Sequence, residues 1–141
     1  GMLLGKGGDG ANGDSDGEDG GPALSLDDDV RINNSGIIGG GGGGGAGVEV
    51  ESGGETISEQ SGSGGAGYFN AIGGPAELTA SSSQDGTNTT GGGGVVPGGD
   101  LGQSGDNAGT NSGGAAGAAI DRNGYTIIYI NAGDIRGAVN A

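Results

Sequence analysis

The sequence predicts an irregular, non-α fold in which polyglycine II helices pack side by side, with short β-strands flanking them. Three observations carry that expectation. Glycine supplies 42 of 141 residues and comes in blocks, the longest being seven in a row from Gly39 to Gly45. The large apolar residues gather at Leu24 to Ile38 and Ile120 to Val139, near the two ends of the glycine-rich region. Glycine at this density is incompatible with an α-helix, so no helix is expected anywhere.

Composition alone also fits a different chain, an acidic disordered tether. Leu, Ile, Val and Phe number only 23, and the net charge is -14, values typical of segments that cannot bury enough apolar surface to order themselves. Against the tether stand the clustering of the apolar residues and the block pattern of the glycines. The same charge bounds the partners. Eighteen acids against four bases repel phosphate backbones and anionic lipid surfaces, so neither nucleic-acid binding nor membrane insertion is expected. With no cysteine, no disulfide or thiolate zinc site can staple the chain. The opening apolar stretch is too short for a signal peptide, and no run approaches the length of a membrane span.

A run of glycines orders itself only if something other than side-chain burial offsets the large backbone entropy it loses. Extended threefold helices without Cβ atoms can approach one another more closely than any other residue permits. Their N–H and C=O groups point outward and bond to neighbouring helices, parallel or antiparallel. Seven residues at ~3.1 Å each would set a bundle height of roughly 22 Å. Shorter blocks containing Ala and Ser then fit the outer layer, and the chain turns back at each polar stretch.

In chain order, the first zone, Gly5 to Gly21, is acidic with glycines at a broken period of three. The second, "PALSLDDDVRINNSGII", alternates in places and predicts short strands near 23–26, 30–33 and 36–38. The third, Gly39 to Ala119, sets glycine blocks between polar stretches. The scaffold glycines are Gly39, Gly40, Gly41, Gly42, Gly43, Gly44 and Gly45, with Gly91, Gly92, Gly93 and Gly94 in a second block. The last zone reads as a strand over 125–130, a turn and a short strand over 135–139, with Asn123-Gly124 as a further turn signal. This divides the chain into 1–38, 39–119 and 120–141. If the chain reverses at every loop, the long loops 48–61, 77–90 and 106–112 emerge at one end, and the short "YFNAI" and "VVP" at the other.

Catalysis is argued against by elimination. There is no histidine and no cysteine, which removes the usual triads. A paired-carboxylate glycosidase is formally available, but three per cent aromatic residues offer few walls for a pKa-shifting pocket. No enzyme activity, cofactor or metal is therefore expected. "GGDGAN", Gly7 to Asn12, matches the start of a calcium-binding nonapeptide repeat but has no second copy at Asp16. "NGDSDG", Asn12 to Gly17, matches half an EF-hand loop but has Ala23 where the last ligand belongs, and a solvated acidic turn fits it better. Tyr68 and Phe69 fit two roles equally, a loop anchor or a plug at the end of the bundle. Tyr125 and Tyr129 are expected to pack.

Taken together, "GGPALSL", "VRINNSGIIGGGGGGGAG", "GGAGYFNAIGG", "TTGGGG", "GGDLGQSG" and "GGAAGAAI" resemble the glycine-rich receptor-binding adhesins of bacteriophage tail fibres. The likeness is to the tip adhesins of T-even-like phages and the C-terminal regions of siphophage fibre proteins, and covers roughly Gly5 to Ala119. It implies a sandwich of polyglycine II helices at the tail-fibre tip of the virion. Loops on that sandwich would contact a bacterial outer-membrane protein or surface glycan, with the rest of the fibre as second partner. The candidate receptor-binding residues are Glu49, Glu51, Glu55, Tyr68, Phe69, Asn70, Ser82, Asp85, Asn88 and Asn107. The alternatives are a non-binding structural cap of a fibre and an ice-binding protein, the latter needing regular Thr or Ala faces that these loops lack.

Overall fold

A computed structural model of the chain describes residues 1–68 and 96–141. Its described residues hold no α-helix and ten short strands in four small sheets. At the centre runs the stretch from Gly39 to Gly47, buried throughout.

The hydrogen bonds of that run repeat every three residues. The N–H groups of Gly41, Gly44 and Gly47 donate to the carbonyls of Gly21, Glu18 and Ser15; those of Gly42 and Gly45 to Ala66 and Ser63; those of Gly43 and Ala46 to Gln103 and Asp106. The carbonyls of Gly39, Gly42 and Gly45 accept from Gly5, Gly8 and Ala11; those of Gly40 and Gly43 from Gly102 and Gly99; those of Gly41 and Gly44 from Gly117 and Gly114. All span 2.8 to 3.0 Å. Six segments thus surround one, two of them parallel to it (around 5–11 and 103–106) and four antiparallel.

The six also bond to one another in a closed ring. Residues 5–11 meet 15–21 through Glu18 to Asp9, and 15–21 meet 112–118 through Gly20 to Ala115. Gly105 donates to Gly114, Asp106 to Pro97, Ala66 to Gly99, and Gly65 to Gly8, which returns the circuit to its start. Glycine is required at the centre because of this closeness. A Cβ built on Gly42 falls on the Gly99 carbonyl oxygen, and one on Gly43 falls on that of Gly114. The frame draws on residues 5–21 as well as on the 39–119 zone.

Below the frame the chain makes two hooks. The first leaves in β2 (Leu24–Ser25), crosses in β3 (Val30–Asn33) and returns in β4 (Ile37–Gly39); the second does the same in β7 (Ile120–Asp121), β8 (Ile127–Asn131) and β9 (Asp134–Arg136). They stack in parallel register, Leu24 on Ile120, Val30 on Ile127 and Ile37 on Asp134. β1 (Met2–Leu4) pairs with β4 on one side, and β10 (Val139–Asn140) with β7 on the other. Inside lies the main apolar core: Leu26, Ile32, Ile38, Ala119 and Ile120. We call this end the base.

Several sequence expectations are corrected here. The stretch after Gly47, read as a polar loop, contains a β-hairpin, β5 (Val48–Ser52) with β6 (Glu55–Gln60). Asn123 and Gly124 do turn the chain, with φ of 49° and 87°, but they join strands of two different sheets. The final apolar stretch divides into β9 and β10 because Gly137, at φ 112°, breaks it. Tyr125 precedes β8, and both it and Tyr129 stay more than a third exposed.

Candidate functional site

The end of the frame opposite the base carries three connections: a turn at Gly13, the hairpin, and residues 107–112. The hairpin turns at Gly53 and Gly54, whose φ of 64° and 82° match the right-handed twist of the strands. Its neck is fixed and its tip is free. Val48 packs against Ala46, Val96 and Ala108, and the Asn111 side-chain amide donates to the Gly47 carbonyl at 2.8 Å and to Asp14 Oδ1 at 2.7 Å. Beyond that neck Glu51, Ser52, Gly53, Gly54 and Glu55 are exposed and Glu49 is half-buried. Asn107 is exposed, and its Oδ1 accepts from the Gly113 N–H at 2.9 Å, which shapes the neighbouring loop.

This end is strongly acidic. Residues 48–60 hold four glutamates and no Lys or Arg, and Asp14 and Asp106 lie beside them. An exposed, uniformly negative surface suits neutral or cationic protein loops and neutral sugars, and repels phosphorylated surfaces. Among the described residues no group of three acidic side chains forms a metal-binding cluster.

The candidate residues do not converge. Glu49, Glu51, Glu55 and Asn107 share the hairpin end. Tyr68 is 63% exposed and sits at the base end, where its N–H donates to the Gly5 carbonyl. Phe69, Asn70, Ser82, Asp85 and Asn88, the second glycine block Gly91 to Gly94, and the 77–90 loop lie outside the described residues. Of "VVP", Val96 packs beside Ala46 at the hairpin end, not at the opposite end as expected, since its segment runs parallel to 63–66 and begins next to Gly62.

Sequence reasoning missed the aspartates that seal the edges of the frame and the base. Asp16 Oδ1 and Asp19 Oδ1 accept from the N–H groups of Ser112 and Ala115, and Asp29 Oδ1 from Thr126, each at 2.7 Å. Asp16 and Asp19 are three apart, the repeat of the frame, so each meets the same outer segment. That spacing was the available signal.

The sequence matches the family model "Phage tail fibre adhesin Gp38" over residues 1–140. The chain belongs to that adhesin family. Among solved structures it is similar to the gp37–gp38 adhesin tip complex of the bacteriophage S16 long tail fibre, with TM-score 0.74 and 31% identity. The match covers 95% of this chain and 54% of that one, so this chain spans about half the length of the chain it resembles. No curated protein matches the sequence. As a tail-fibre adhesin the protein is a component of the virion, at the tip of the phage tail fibre.

Proposed function

We propose that this adhesin recognises a bacterial surface receptor through loops held on a polyglycine II sandwich, with no catalytic step. The period of three in the hydrogen bonds, the mixed directions and the ring of six around one support reading the frame as polyglycine II helices. The observation that carries the functional reading is the division of labour between frame and loops. From Gly40 to Gly45 the frame's centre has no room for a Cβ, so sequence can vary freely only in the connections, and recognition by variable loops on a fixed scaffold follows. The acidic hairpin end favours an outer-membrane protein loop or a neutral glycan over a phosphate-rich surface.

The test is loop exchange. Replacing Glu49 to Ser61, or separately Tyr68 to Ile72, by the corresponding stretches of an adhesin from a phage of different host should switch host range while melting stays unchanged. Adsorption that is unaltered after both exchanges counts against loop recognition. In that event failure to retain the protein on isolated host outer membranes would identify it as a structural cap.

A further inference from the structure

We propose that Asn12 is a site of self-modification: in the folded chain it deamidates ahead of every other described asparagine, and the product loosens the neck of the hairpin. The inference concerns the chemical lifetime of the hairpin end and goes beyond the recognition reading above. Asparagine followed by glycine is prone to cyclise, because no side chain shields the next backbone nitrogen. The Gly13 nitrogen gives up its proton to hydroxide and attacks Asn12 Cγ. The Cγ–Nδ2 bond breaks, and its nitrogen takes a proton from water and leaves as ammonia, which restores the hydroxide. Water then opens the cyclic imide. Breaking the new bond to Cγ gives an aspartyl residue; breaking the original peptide bond gives an isoaspartyl residue, whose main chain runs through Cβ and Cγ. Water is the only reagent consumed, and nothing is oxidised or reduced.

The fold chooses among the candidates. Attack of this kind needs the reacting atoms about 3–3.5 Å apart, so a carboxamide held elsewhere does not react. Asparagine precedes glycine at Asn12 and Asn123, and serine at Asn34 and Asn111. The Asn123 amide donates to Ser25 Oγ and the Leu26 carbonyl at 3.0 and 2.9 Å. That of Asn34 donates to the carbonyls of Gly36 and Ala132 at 3.0 and 3.1 Å. That of Asn111 donates to Asp14 Oδ1 and the Gly47 carbonyl, and the Ser112 N–H that would attack it is itself held by Asp16. Asn12 is exposed, and among the described residues its carboxamide makes no hydrogen bond; nor does the Gly13 N–H. Asp16-Gly17, which could cyclise with loss of water, is held at both ends, because Asp16 Oδ1 accepts from the Ser112 N–H and the Gly17 N–H donates to the Ser112 carbonyl.

The residues just beyond Asn12 hold the hairpin's neck. Gly13 is buried at φ 73°, and its carbonyl accepts from the Ser15 N–H at 2.9 Å. The Ser15 carbonyl accepts from the Gly47 N–H at 2.9 Å, and Asp14 Oδ1 receives the Asn111 amide that also bonds Gly47. An isoaspartyl link lengthens the main chain immediately before these bonds. The turn has no slack to absorb it, since a Cβ built on Gly47 falls on the Gly13 carbonyl oxygen. Either product also adds a carboxylate to an end that is already acidic, next to Asp14.

The experiment ages the full chain at mildly alkaline pH and maps it by mass after cutting with trypsin. Cleavage after Lys6 and Arg31 releases residues 7–31, in which Asn12 is the only asparagine, and cleavage after Arg122 and Arg136 releases 123–136, which holds Asn123 and Asn131. The 7–31 peptide should gain the mass of amide-to-acid exchange and split into two chromatographic isomers, roughly tenfold faster than 123–136 changes. Aged in denaturant, where the bonds of Asn123 are gone, the two peptides should change at similar rates. Asn12→Gln, whose longer side chain would have to close a larger ring, should stay intact. Ageing should speed amide exchange at Gly47 in wild type and not in this variant. An unchanged 7–31 peptide, equal rates in the folded chain, or Gly47 exchange that conversion leaves unaltered overturns the proposal. Under the recognition reading, conversion should also lower adsorption to host cells; fresh wild type that fails to adsorb strikes that reading alone and leaves the mapping result standing.

Discussion

Gly42 and Ile120 are both buried, yet almost nothing about their surroundings is alike. Around Gly42 stand the backbones of neighbouring segments, and order comes from N–H and C=O groups pairing in three directions. Around Ile120, 0% exposed, stand Leu26, Ile32, Ile38 and Ala119, and order comes from apolar burial. Each backbone bond contributes only about 0.5–1.5 kcal/mol net, so the frame depends on having many in a closed ring. The base depends on a few large side chains, each worth about 1.5–3 kcal/mol when fully buried. The frame should therefore tolerate no added atoms and the base no removed ones.

The sharpest break of that comparison is Gly42→Val. Its Cβ would fall on backbone oxygen that cannot move without opening the ring, so the cost should exceed ~3 kcal/mol, with loss of folding an expected outcome. Unchanged melting of this variant would refute the packed frame. Next is Ile120→Ala, which empties part of the base core and should cost about 2–5 kcal/mol in denaturant unfolding. Third is the double change Asp16→Ala with Asp19→Ala. Both carboxylates are exposed, and water can replace them, so about 0.5 kcal/mol each is expected. Amide exchange of Ser112 and Ala115 should accelerate while Gly41 to Gly45 stay protected; equal acceleration in the central run would mean that edge and centre open as one unit. Smallest is Gly54→Ala, a positive-φ position with open space around it. A cost of about 1 kcal/mol, confined to the hairpin, would show that the tip is energetically separate from both frame and base.

The same contrast explains what the sequence disclosed. The strand at Val30–Asn33 is visible because alternation of apolar and polar residues is a side-chain signal, and the base is built from side chains. The seven-glycine run stands out in the sequence and stands at the centre in space. Its partners could not be assigned, because identical residues carry no mark of which neighbour each one meets. The acidic stretch from Asn12 to Asp19, of which Asn12 to Gly17 reads as a solvated turn, is opaque for a related reason. Its carboxylates serve N–H groups some 96 residues away, a pairing no local window contains. The hairpin at 48–60 was hidden by its charge, which marks polar loops as readily as exposed strands. Val96 lies at the hairpin end against a simple up-and-down alternation, because 103–106 follows its predecessor directly through the tight turn at Gly102, φ 72°.

The period of three in the central run also acts as a counting rule. Removing one glycine between Gly39 and Gly45 would hand every donor beyond it to the wrong neighbour, since successive residues face different segments around the ring. Removing three would restore the directions and shorten the frame by one three-residue repeat, ~9 Å at the rise of an extended threefold chain. Because the glycines are interchangeable, the run cannot hold its own register; Ile38 in the base core and Ala46 under the hairpin hold it from the two ends, as apolar side chains hold a strand in register. Insertions in the connections obey no such arithmetic. The molecule thus separates a part whose length is quantised from parts whose length is free, and changes in loop length can accumulate at its hairpin end without the frame losing count.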